Sequence, residues 1–270
     1  LSPEERPLDD RYILQTRNLS IHFGGLAAVN GVNLDVPYAK TVGLIGPNGS
    51  GKTTFFNLIS GIYKPSAGEI RFKNEILNGS KSHQITRKGM ARTFQNNRLF
   101  WQLSILDNVI LGMYSKQKAG LFDVLFRYKR IEKELAECAR RAVEILHYFS
   151  PELSEQHQRL ASDLSQGDRR RVEISRALAS DPDLLLLDEP SAGMSPEETD
   201  KLMEDIGKVK ETFERISIIL IEHDMTVIQN IADHVVVFNY GRKIAQGSYA
   251  DIAHNEEVLE AYLGKETDDA

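Results

Sequence analysis

Residues 11–40 read as short strands: YILQTRNLSIHF, a Gly24-Gly25 turn, then VNLDV with apolar and polar positions alternating at period two. That spacing predicts an antiparallel sheet with one face covered. From residue 41 the pattern changes, because TVGLI at 41–45, LLLL at 184–187 and ISIILI at 216–221 are almost continuously aliphatic. Runs of this kind predict strands buried on both faces, which means parallel strands joined by crossover helices. The middle, 104–150, is strongly helical, and Leu135, Cys138, Ala139, Ala142 and Leu146 fall on one helical face. Cys138 is expected in the core of that face. VVVFNYGRKIAQG, after 234, predicts a hairpin turning at Asn239 to Gly241. The pattern therefore predicts an α/β core with a helical insertion and an antiparallel sheet.

Composition narrows what such a fold does. The 270 residues carry a formal charge of -6 and a pI near 5.7, so no overall basic face advertises a nucleic-acid partner. One cysteine excludes an intrachain disulfide framework, and the first residues are polar and acidic, so a cytosolic chain is expected. No apolar run approaches the roughly 18 residues a membrane helix needs. Any membrane work must pass through a partner.

The candidate chemistry starts at GPNGSGKTT. Gly46, Gly51, Lys52 and Thr53 satisfy G-x-x-x-x-G-K-[ST], with a predicted strand before and Phe55, Leu58, Ile59 and Ile62 at helical spacing after. Glycines let the backbone turn its N–H groups toward anionic oxygens, the helix start adds partial positive charge, and Lys52 reaches the outer phosphates. The competing reading, a glycine-rich turn with a surface lysine, does not account for the strand and helix around it. Pro47, Asn48, Gly49, Ser50 and Thr54 complete the loop, which predicts a nucleoside triphosphate and leaves Thr53 to hold magnesium. LLLLDEP sets Asp188 and Glu189 past the end of a buried strand, where open parallel sheets collect ligands. Asp188 suits the metal and Glu189 faces an attacking water, since phosphoryl transfer asks mainly for positioning and charge stabilisation. His223 closes a third such strand, on the same expected edge. No His or Cys set has zinc-ligand spacing.

A second helix start lies in DLSQGDRRRVEISRAL, where Ser165 fits a cap and free N–H groups make another anion site. At least two of Arg169, Arg170 and Arg171 are expected on a solvated helix face. With this segment some twenty residues before DEP, the sequence resembles the ATP-binding subunits of ABC transporters. RTFQNNRLFWQLSILDNV, GLFDVLF, EHDM and EEVLEAYLG make it similar to the ATPase subunits of branched-chain amino acid importers, over about residues 10–264.

The resemblance implies the ABC ATPase fold: a P-loop NTPase (RecA-like) core with a mostly parallel sheet, an N-terminal antiparallel β subdomain and an inserted α-helical subdomain. It implies one domain over 10–264, with core segments 10–95 and 170–250, a helical subdomain 96–169 and a C-terminal helix 251–264. It implies ATP hydrolysis with Mg2+, Phe23 stacking on adenine, Gln95 sensing the metal and the lytic water, and His223 stabilising the transferred phosphate. Metal contacts then fall to Thr53, Gln95 and Asp188. Leu164, Ser165, Gln166, Gly167 and Asp168 stand at the family's LSGGQ signature, which acts on the ATP of a facing subunit. Gln166 and Asp168 depart from that motif, and Ser195 replaces an aspartate common at the dimer interface. Asp168 brings a negative charge toward a triphosphate and should weaken closure unless it turns to a ribose hydroxyl or to the adjacent arginines.

The partners so implied are a second ATPase subunit, identical or related, transmembrane permease subunits and, indirectly, an external solute-binding protein. The expected place is peripheral, on the inner face of the cell membrane. Leu121, Phe122, Leu125 and Phe126 in GLFDVLF suit either a membrane partner or the insertion's own core. The alternative class is a soluble ABC-type ATPase not tied to transport.

Overall fold

The computed structural model describes residues 11–94, 98–116 and 128–263. The chain divides into two compact units: residues 1–85, 186–189 and 215–270 in the first, 86–185 and 190–214 in the second. Gln95 and the GLFDVLF segment lie outside the described residues.

The first unit opens with β1 (Tyr12–Phe23) and β2 (Leu26–Pro37), paired antiparallel across the predicted Gly24-Gly25 turn. β3 (Thr41–Ile45) and α1 (Lys52–Ile59) follow, then β4 (Ala67–Phe72) and β5 (Glu75–Ile76), which complete an antiparallel sheet in the order β2-β1-β4-β5. All five residues of β3 are buried, as its aliphatic run requires of a strand covered on both sides. Helix α1 is shorter than its apolar spacing predicts. Gly61, at φ 71, takes a left-handed turn just past the Ser60 cap, so Ile62 leaves the helix and stands exposed.

In the second unit α2 (Ser82–Arg87), whose first residues belong to the first unit, leads into β6 (Met90–Arg92) and α3 (Ile105–Gly112). The long α4 (Tyr128–Phe149), α5 (Pro151–Glu155) and α6 (Gln166–Ala179) come next. Among the described side chains of α4, Ala142, Ile145, Leu146 and Phe149 are core, while Leu135 is exposed and Cys138 only partly covered. The predicted face is right in direction and too long. α6 and α3 approach so closely that a Cβ at Gly112 would collide with the carbonyl oxygen of Arg176. β7 (Leu184–Asp188) starts in this unit, where Asp183 and Leu184 donate to Gly89 O at 2.8 and 3.1 Å. α7 (Pro196–Thr212) closes it.

β7 ends in the first unit, alongside β8 (Ser217–Ile221). α8 (Met225–Ile231) and β9 (His234–Asn239) follow, then β10 (Arg242–Gly247), α9 (Tyr249–Ala253) and α10 (Glu256–Leu263). β3 sits between β8 and β9 and pairs parallel with both, and β10 adds antiparallel to β9. Parallel pairing puts the C-terminal ends of β3 and β8 on one edge, and the Glu189 N–H donating to Ile221 O brings the end of β7 to the same edge, where the glycine loop, the carboxylates and His223 all begin. Among the described residues no helix is long and apolar enough to cross a membrane.

Candidate active site

The loop after β3 is a backbone cradle. Gly46, Gly49 and Gly51 hold φ values of 145, 77 and 104, which side chains resist. At Gly46 space as well as φ demands glycine, because a Cβ would strike the carbonyl oxygen of Phe238. Lys52 is buried and its Nζ donates to Gly46 O (2.7 Å) and Pro47 O (3.0 Å), so the ammonium lies across the mouth of the loop. Burial pushes its pKa below the ordinary lysine value, and the carboxylates of Glu189 and Asp188 pull it back up. A cation held by two carbonyl oxygens at the wall of an open cavity is well placed to receive phosphate. Ser50 Oγ is buried without a hydrogen-bond partner, a donor waiting in the same cradle. Burial raises the pKa of the Tyr262 phenol, and the Gly46 backbone in this loop opposes that rise.

Asp188 is the last residue of β7 and is buried. Glu189 follows with φ 47, a left-handed backbone that costs a non-glycine residue about 1–3 kcal/mol. Its N–H donates to Ile221 O at 3.0 Å, which pins it to the end of β8. Two residues beyond Ile221, His223 brings Nε2 to 2.8 Å from Glu189 Oε1. The kink aims the carboxylate at the imidazole and over the sheet edge.

A cavity of about 390 Å3 joins these parts: it is lined by Phe23, Asn48 to Thr54, Glu189, Tyr240 and Gly241, with Leu26, Ala27 and Ala28 along one wall. Phe23 stands 46% exposed at its lip, its ring edge-on to Tyr63 with centroids 5.3 Å apart. A second cavity of about 360 Å3, lined by residues such as Arg17, Asp35, His234 and Lys243, holds no phosphate-loop residue. The chemistry belongs to the first.

The signature segment lies in the second unit. Ser165 caps α6: its Oγ accepts from Asp168 N (3.2 Å) and donates to Asp168 Oδ2 (2.9 Å). Leu164 and Gly167 are buried, while Ser165 and Gln166 are exposed. Asp168 Oδ1 accepts from Arg171 Nη1 at 3.3 Å, so the extra carboxylate is turned to an arginine. Arg171 also binds Asp205 at 2.8 Å, and Arg170 binds Glu173 at 2.8 Å. Both guanidinium groups are buried, which corrects the expected solvated face: carboxylates three residues away on α6, and Asp205 on α7, draw them in. Only Arg169 keeps partial exposure, lying over the Trp101 ring. Ser195 caps α7 in a reciprocal box with Glu198, a motif legible in SPEE that its comparison with aspartate overlooked.

Sequence reasoning missed Tyr240 and the β2 wall of the cavity, because a hairpin tip and an edge strand carry no motif. Gln95 lies outside the described residues. The other predicted residues of the first unit, Phe23, the loop 46–54, Asp188, Glu189 and His223, do converge on one sheet edge.

A strand, a glycine cradle on a helix start, a buried lysine and a carboxylate kinked past the neighbouring strand define a P-loop nucleotide hydrolase. Residues 29–192 match the family described as ABC transporter, and residues 242–268 match that described as branched-chain amino acid ATP-binding cassette transporter. The chain is 41% identical over 258 residues to the high-affinity branched-chain amino acid transport ATP-binding protein BraF of Pseudomonas aeruginosa, spanning 94% of this chain and 99% of that protein. It is 40% identical over 253 residues to LivG of Escherichia coli, likewise named a high-affinity branched-chain amino acid transport ATP-binding protein, spanning 94% and 98%. Among solved structures, the ADP conformation of MJ1267, an ATP-binding cassette of an ABC transporter, superposes with a TM-score of 0.80 at 31% identity, covering 94% of this chain and 99% of that one. A dimeric post-hydrolysis state of MJ0796 bound to ADP and Pi gives 0.72 at 25%, covering 87% and 98%. The chain belongs to the ABC transporter family, as an ATP-binding and ATP-hydrolysing subunit. These relatives set aside the soluble alternative.

Proposed function

We propose that this chain powers import of branched-chain or related amino acids, as one of two ATPase subunits working on separate membrane permeases. The observation that carries the solute is the match of residues 242–268 to the branched-chain family, beyond the general match at 29–192. The names of BraF and LivG support it.

In this reading Phe23 stacks on adenine and the backbone of Asn48 to Thr54 cradles the phosphates with Lys52 and Ser50. Thr53 and Asp188 offer a hydroxyl and a carboxylate, a hard oxygen set that would hold Mg2+. When bound, that ion neutralises charge developing on the transferred phosphoryl group. Glu189 orients the attacking water and takes its proton. His223 holds the Glu189 carboxylate through Nε2 before ATP binds, and with ATP in place that N–H donates to the phosphoryl oxygens instead.

The dimeric MJ0796 structure supports pairing. A second subunit, identical or related, places its own Ser165 and Gly167 equivalents over this ATP, and this chain's signature serves the partner's. Asp168, already neutralised by Arg171, does not oppose that closure. Exposed Phe100, Trp101 and Leu160 in the second unit offer apolar contacts to a permease. The chain sits on the inner face of the membrane through that contact, while an external binding protein delivers solute.

The test is reconstitution of the full chain with the membrane proteins that co-purify with it. ATP-dependent uptake of labelled leucine, isoleucine or valine is expected, and uptake confined to sugars or ions would refute the solute assignment.

A further inference from the structure

Tyr240 has no place in the chemistry above, yet it occupies the nucleotide cavity. It is 86% exposed, the largest exposure among the big apolar or aromatic side chains of the described residues, and it lines the same space as Phe23 and the phosphate loop. Its backbone sits where tyrosine is disfavoured. Asn239 pairs with Arg242, so Tyr240 and Gly241 are the two central residues of the β9–β10 turn, with φ 44 and φ 75. A two-residue turn with both φ values positive selects Asn, Asp or Gly at its first central position, and an aromatic residue there is strained. Breaking a local rule without a packing return marks a position kept for another purpose.

The turn is also fixed in space. Gly241 N donates to Ser50 O in the phosphate loop (2.9 Å), and Asn30 N donates to Gly241 O (2.8 Å). A Cβ at Gly241 would lie 2.9 Å from the carbonyl oxygens of both Ala27 and Ala28, so the turn is pressed onto the cavity's β2 wall. The root of the Tyr240 side chain is therefore clamped between the β2 wall and the phosphate loop, while its ring stays free in solvent.

We propose that Tyr240 is a second aromatic contact for the bound nucleotide, its ring closing on the base or ribose of ATP from the hairpin side of the cavity. The inference rests on the reading that ATP lies in this cavity with its phosphates on the loop. Its chemistry is that of a purine nucleoside: a flat apolar ring covers a base face, and the phenol hydroxyl reaches a ribose hydroxyl.

The test measures binding of ATP and of inorganic tripolyphosphate, which lacks base and sugar, to the full chain and to Tyr240→Asn and Tyr240→Phe, together with thermal unfolding. Asparagine suits the turn, so Tyr240→Asn should melt at or above the wild-type temperature while losing about five- to hundredfold in ATP affinity. Tripolyphosphate affinity should not move, and Tyr240→Phe should stay within about threefold of wild type for ATP, the phenol bond being the smaller part. Unchanged ATP affinity in Tyr240→Asn overturns the proposal, and so does an equal loss for both ligands, which would mean that the residue only shapes the loop. Wild-type chain binding ATP no better than tripolyphosphate would instead refute the base site as a whole, Phe23 included.

Discussion

At the scale of single residues, the site works through which charges are matched. His223 Nε2 is 2.8 Å from Glu189 Oε1, and the carboxylate is far less exposed than the imidazole. Replacing His223 with alanine removes a donor from the phosphoryl oxygens and releases Glu189, so turnover should fall about 10²–10³-fold with ATP affinity nearly kept. A steady-state assay paired with equilibrium ATP binding checks both halves. Asp168 makes the opposite prediction. Since Arg171 already neutralises it, Asp168→Gln should change turnover less than about threefold, whereas a large acceleration would show that the carboxylate does oppose closure. Arg170 and Glu173 are buried, at 0% and 2% side-chain exposure. Arg170→Ala should cost about 3–5 kcal/mol in denaturant unfolding, because it leaves the buried Glu173 carboxylate without its guanidinium and the Pro190 and Phe94 carbonyls without their donor.

At the scale of elements two contacts decide how the second unit holds its helices. Gly112→Ala forces α3 off the Arg176 carbonyl and should destabilise the chain by about 1–3 kcal/mol, read from thermal unfolding. Ser195→Ala removes the cap of α7 and should cost about 1 kcal/mol, with little change in ATP affinity. These elements also show why some of the molecule was legible in the sequence and some was not. The phosphate loop is local, so glycine spacing, Lys52 and the flanking strand announce it within a dozen residues. The aliphatic runs of β3, β7 and β8 are likewise local, and placing β7 next to β8 brings Glu189 and His223 together. Helix ends were less readable, because one left-handed glycine, Gly61, overrode the spacing that included Ile62. The burial of Arg171 depends on Asp205, a distant partner on another helix that no window around the signature contains. Tyr240 escaped for the same reason: only the folded hairpin brings it to a loop some 190 residues earlier.

At the scale of the whole molecule, a hydrolytic centre occupies one unit and a signature helix the other, and the proposed engine joins each to its counterpart on a second subunit. The isolated chain should then bind ATP while turning it over slowly, and turnover should rise with subunit concentration or with addition of the permeases. The most direct measurement is ATP binding and turnover by Glu189→Gln in the assembled complex. Affinity close to wild type with turnover lowered at least about 100-fold is the predicted result, as expected when the group activating water is lost. Turnover at the wild-type rate would contradict the account.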